Sequence, residues 1–163
     1  MGDEAQNTRS RGRICPTGWA KENGDASALV DAADELNCDE FSFASTYNSG
    51  GMSTAEGGLN PALLPGGTTP TGKTCLSTYA KKLGSAVRLF SLNGADPTFK
   101  EVCGRSAISG MHNKESMGSH FAKFMREMRI TDKDAYWLDT RMTPGNTCLY
   151  ASAAPVICKL TAK

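Results

Sequence analysis

The chain has 163 residues, 39% of them hydrophobic and 7% aromatic, and a net charge of +1. That length fits one domain with a modest core. No stretch approaches the roughly 20 consecutive apolar residues of a membrane-spanning helix, and the net charge is uninformative until the chain is divided. The charge is instead blocked: residues 1–13 sum to +1, 14–72 to −7, 73–129 to +6 and 130–163 to +1. An acidic third beside a basic third suits a carboxylate site next to a surface that prefers anions.

Residues 1–13, "MGDEAQNTRSRGR", have no hydrophobic signal core and read as a flexible basic segment ahead of a single domain spanning 14–163. Gly24 to Leu36, "GDASALVDAADEL", places Ala28, Leu29, Ala32, Ala33 and Leu36 at helical spacing, with Asp25 or Ser27 as cap. "FSFAST" then alternates and predicts a short half-buried strand. Residues 48–73 are rich in Gly, Pro, Ser and Thr and predict a long loop. "TCLSTYAKKLGSAVRLFSL" reads as a short helix and a strand broken at Gly84, and "EVCGRSAISGM" as a strand.

"NKESMGSHFAKFMREMRI" carries the strongest helix signal. Met117, Phe121, Phe124, Met125 and Met128 form one stripe, and Lys114, Lys123, Arg126 and Arg129 lie on other faces. Asn113 or Ser116 is the expected cap. "DAYWLDT", "TCLYAS" and "APVICKL" predict closing strands around "RMTPGN". The fold class is α+β with a small antiparallel sheet.

Six cysteines, Cys15, Cys38, Cys75, Cys103, Cys148 and Cys158, are more than such a core needs. No two are two to four residues apart, and no His-x3-5-His spacing occurs, so zinc is a poor reading. Three disulfides in an oxidising compartment are the better one, with about fifteen pairings open. A secreted or exported domain follows as the expectation.

The run "CDEFSFASTYNSGG", Cys38 to Gly51, resembles the signature segment of the NucA/NucB-type secreted deoxyribonucleases of bacteria and fungi. A second segment, Ser106 to Leu138, is similar to that family's strand, Asn-containing turn and aromatic-bearing helix. His112 stands where the family has an acidic residue before the Asn, and the insertion over about 48–105 is longer than in the compact bacterial forms. The resemblance implies a ββα-metal-type core, in which two strands and a helix hold one divalent cation, Mg2+ or Mn2+, against a DNA phosphate. It also implies backbone contacts with little sequence preference, and a cognate inhibitor or immunity protein if the domain is a toxin. A monomer is expected.

Phosphodiester hydrolysis needs an activated water, charge neutralisation at phosphorus and a base within hydrogen-bond reach of the water. Asp39 is the candidate base, steadied by the neighbouring Cys38, and Glu40 supports it. Asn113 is the candidate ligand at the helix start, because hard cations prefer oxygen donors. The competing explanation of Asn113 is a plain helix cap. His112 and His120 are further ligand candidates, and Glu115 could supply the missing carboxylate. Lys114, Lys123 and Arg126 are candidate phosphate contacts. "CPTGW", "YWLD" and the last two cysteines loosely resemble C-type lectin-like domains, so a binding module stands as an alternative, as does a non-catalytic disulfide-rich protein.

Overall fold

Residues 4–60, 70–94, 101–129, 147–151 and 154–159 are described by the computed structural model of the chain. Helix α1 (Glu4–Ile14) covers most of the segment expected to be a flexible arm. Its Ser10 and Ile14 side chains are buried, and a disulfide from Cys15 to Cys38 fastens its end to strand β1 (Leu36–Phe41). Arg9 and Arg13 on its outer side pair with Glu56, so the basic residues are docking contacts as well as charge.

After α2 (Trp19–Asn23) the expected helix over Gly24–Leu36 does not form; only a single 3-10 turn, Ala26–Ala28, precedes β1. The aspartates explain it. Asp25 accepts from the Ser27 amide, Asp31 from those of Ala33 and Asp34, and Asp34 from those of Val30 and Glu35. Short acidic side chains compete in this way with the helical ladder, and alanines bury too little to win it back. The strand expected over "FSFAST" likewise ends at Phe41, because the Thr46 amide and hydroxyl both donate to the Phe43 carbonyl and close a turn. The glycine pair that follows is a packing requirement: a Cβ on Gly50 would strike Cys103, and one on Gly51 would enter the Ser10 backbone.

The main sheet adds β2 (Leu76–Leu83), β3 (Ala86–Ser91) and β4 (Gly104–Ser109), in the order β1-β4-β2-β3. The helix expected at the start of this region is a strand. Gly84, with φ of +59°, opens a two-residue loop that turns β2 into β3. The sheet is mixed rather than wholly antiparallel: β1–β4 and β2–β3 are antiparallel, but β2 and β4 run parallel. A second disulfide, Cys75 to Cys103, joins the residues immediately before β2 and β4, so both strands start side by side and point the same way. Each bridge closes a loop worth about 3.5 kcal/mol by the chain-entropy rule, which matters because the core is small.

That core has two patches. Ile14, Val102 and Cys103 pack with Cys15 and Cys75, while Trp19, Ala20 and Ala107 pack with Leu36, Cys38, Tyr79 and Leu92. Arg105 joins them. Its guanidinium stacks 4.1 Å from the Trp19 ring centre and donates to the Ile14 carbonyl at 2.8 Å.

Strand β4 runs without a break into a helical stretch: α3 (Gly110–His112), a π-helical segment Asn113–Gly118, and α4 (Ser119–Glu127). Its cap is Ser109, whose hydroxyl accepts from the His112 amide, and not Asn113 or Ser116. Asp34 clamps the junction from outside, accepting from the Ser109 hydroxyl and the Met111 amide. Of the expected stripe, Met125 is buried, Phe121 and Phe124 are half-buried and Met128 is exposed.

Strands β5 (Thr147–Ala151) and β6 (Ala154–Lys159) form an antiparallel pair in which Cys148 and Cys158 are register partners. "DAYWLDT" and "RMTPGN" lie outside the described residues, as does the segment 61–69 of the long loop. Among the described residues no helix is long and apolar enough to cross a membrane.

Candidate active site

The edge strand β1, the start of the π-helical segment and one turn of α1 enclose a cleft of about 400 Å³. Its polar lining includes Asp39, Glu40, Asn113, Lys114 and Arg11, with Asn37 and Ser45 beside them, and Phe43 and Phe121 form an apolar wall. Asp39 and Asn113, 74 positions apart in sequence, reach the same cavity because β1 pairs antiparallel with β4 and β4 leads directly into the helix.

Neighbouring residues on a strand point to opposite faces. Asp39 therefore shares a face with its register partner Ser106, and Glu40 leans toward α1. Both still border the cleft, since β1 is the sheet's outer strand. Glu40 is 9% exposed; its Oε1 accepts from Arg11 Nε at 3.4 Å, and its Oε2 finds no hydrogen-bond partner among the described residues. Ser106 Oγ is also buried without one. Burial pushes the Asp39 carboxyl above the usual carboxylate range, against a lowering contribution from the Glu40 amide. Burial pushes Glu40 up as well, Arg11 opposes the shift, and the Asp39 charge adds to it. Both acids are thus poised to gain from a positive partner that the protein itself supplies only in part.

Asn113 is not a helix cap. The capping role belongs to Ser109, and Asn113 is half-buried inside the helical stretch, where the π-helical turn begins. His112 and His120 are exposed and neither lines the cleft. A 3.6-residue period puts His120 on the Asn113 face, but the π-helical turn, closed i to i+5, shifts that register. His120 Nδ1 instead lies 3.0 Å from the Glu115 carbonyl five residues back, and Gly118 and Phe121 take the cleft-facing places. Glu115 is exposed and outside the lining. Lys114 lines the cleft, whereas Lys123 and Arg126 are exposed further along α4, Lys123 beside Glu127 at 3.7 Å.

Arg11, Phe43 and Phe121 were not legible as site residues. Arg11 enters because its carbonyl accepts from the Cys15 amide at 2.7 Å, one turn before the bridge to Cys38. The signal exists only once that pairing is known.

The donors fit a hard cation better than a soft one. Two carboxylates and two amides, those of Asn37 and Asn113, border the cleft, one carboxylate oxygen is buried without a partner, and neither histidine is among the lining residues. Among the described residues no group of three or more His, Cys, Asp or Glu is placed to hold an ion; Mg2+ needs few protein ligands, since it keeps several of its waters. Comparison with family models, with curated proteins and with solved structures gives no match for this chain.

Proposed function

We propose that the chain is a secreted, divalent-metal-dependent hydrolase of DNA phosphodiester bonds, with β1, β4 and the following helix as a ββα-metal-like core. The observation that carries the reading is Glu40, a buried carboxylate on β1 with one oxygen lacking a partner, which stands beside the half-buried Asp39 on the cleft that Asn113 and two cations also border. A purely structural acid is satisfied; Glu40 Oε2 is not.

In this reading Asp39 is the general base. Its raised proton affinity brings it closer to the basicity needed to accept a proton from water. Asn113 and Glu40 would hold Mg2+ or Mn2+, which when bound supplies charge neutralisation at the phosphate. Lys114 and Arg11 receive the non-bridging oxygens and the neighbouring backbone, contacts that confer affinity without sequence preference and weaken with salt. Lys123 and Arg126 extend that basic track.

Incubation with supercoiled plasmid tests the reading. Nicked and linear products are expected with Mn2+ or Mg2+ and none with EDTA. Intact plasmid under all metal conditions, from protein with its disulfides formed, contradicts it.

A further inference from the structure

The apolar wall of the cleft continues outward as a ladder of rings. Phe121 packs 4.7 Å from Phe43, Phe43 meets Phe41 edge-on at 6.0 Å, and Phe124 stands 6.3 Å behind Phe121. Phe43 and Phe121 border the cavity, and Phe41 ends the row 53% exposed, one position from Glu40. A lone exposed phenylalanine is ordinary. An exposed ring that terminates a packed row running into a polar cleft is braced by its neighbours beside that cleft.

We infer that this row is a stacking platform for an unpaired base next to the scissile phosphate, so that the preferred substrate is single-stranded or locally unpaired nucleic acid; the inference rests on the hydrolase reading above for the position of that phosphate. The charge pattern favours this occupant over an apolar peptide. Lys114 and Arg11 border the same cavity as the rings, and Arg126 is exposed on the helix that carries Phe121 and Phe124. Cations beside exposed aromatic faces are how proteins hold single strands without reading sequence. A duplex keeps its base faces stacked inside, so it offers Phe41 no face to stack on.

Binding in EDTA at low salt separates the platform from the chemistry. Fluorescence anisotropy is measured with a labelled single-stranded oligonucleotide, the same strand with abasic sites, and its duplex. The wild-type protein is expected to bind the intact single strand about tenfold tighter than either competitor, and Phe41→Leu to lose about 5- to 100-fold of that affinity. Phe41→Trp retains the affinity, and its added emission, taken as the difference from wild type, is quenched by the intact strand and not by the abasic one. Equal affinity for intact and abasic strands, or an unchanged affinity in Phe41→Leu, overturns the platform. Base-dependent binding without any cleavage in Mn2+ would keep the platform and overturn the hydrolase; cleavage without base dependence would do the reverse.

Discussion

Four carboxylates divide this molecule into two kinds of region. Glu56 accepts from Arg9, Arg13 and both the amide and hydroxyl of Ser53, in a capping box that ties the 53–58 loop to α1. Asp34 accepts from Ser109, Met111, Val30 and Glu35 at the β4–helix junction. Hydrogen bonds from Arg13, then Ser53 and Arg9, hold the Glu56 carboxyl far below its usual range despite some desolvation. For Asp34 desolvation is the largest single influence and acts upward, but four hydrogen bonds together reverse it. Asp39 and Glu40 show the opposite balance: burial dominates, partners are too few, and both are pushed up. A satisfied acid holds a fold together. An under-partnered one costs stability, and such groups concentrate at functional sites.

The sharpest way to break this contrast is to neutralise one member of each kind. Asp39→Asn should lower plasmid cleavage by about 10²- to 10⁴-fold, the range for loss of a general base, with the thermal midpoint unchanged or raised. A variant that cleaves at wild-type rate removes Asp39 from the chemistry. Glu56→Ala should do the converse, costing about 1–2 kcal/mol in denaturant unfolding through the lost cap and charged hydrogen bonds, with cleavage rates unchanged below the transition. If its stability matches wild type, the clamp is ornamental.

The two kinds also carry opposite pH signatures. Glu56 and Asp34 titrate lower folded than unfolded, so their stabilisation is present above the unfolded carboxylate range near about 4 and is lost as pH falls through the folded values. Asp39 and Glu40 titrate higher folded than unfolded, so protonating them favours the fold and ionising them costs stability. The acid-side fall in stability should therefore shrink in Glu56→Gln, as followed by thermal melts across pH. The cleavage rate should rise with pH through an apparent pKa above that of an ordinary Asp, about 3.9. A smaller effect refines the comparison. Glu40→Gln keeps the shape and removes the penalised charge, so its stability should lie within about 1 kcal/mol of wild type or above it, with slower cleavage. A larger loss would show that the Arg11 contact at 3.4 Å dominates.

The legible part of the fold was whatever rested on local pattern or residue chemistry. The described parts of the expected loop, 48–60 and 70–73, the strand over Gly104–Ser109 and the helix bearing Phe121, Phe124 and Met125 stand close to where periodicity and turn residues put them. The disulfide chemistry followed from cysteine number, but the Cys15–Cys38 and Cys75–Cys103 pairings did not, nor did the parallel β2–β4 contact that the second of them accompanies. The Gly24–Leu36 stretch shows a good helical period overruled by aspartates bonding their own backbone. In the site, Asp39, Glu40, Asn113 and Lys114 were singled out by residue type together with the family resemblance, and they border one cleft. His120 was misplaced because the π-helical turn breaks the 3.6-residue count. Arg11 was invisible because nothing local links an N-terminal helix to β1.

The most direct test of the account is Mn2+ titration by calorimetry, which does not depend on substrate or turnover. One site per chain is expected in the wild-type protein and in Glu56→Ala, with binding weakened at least about tenfold in Glu40→Gln and Asn113→Ala, since loss even of a group that only supports a ligand costs that much. Mn2+ bound with wild-type affinity by both Glu40→Gln and Asn113→Ala would contradict the claim that the under-partnered acids of β1 and the π-helical Asn113 form one cation site.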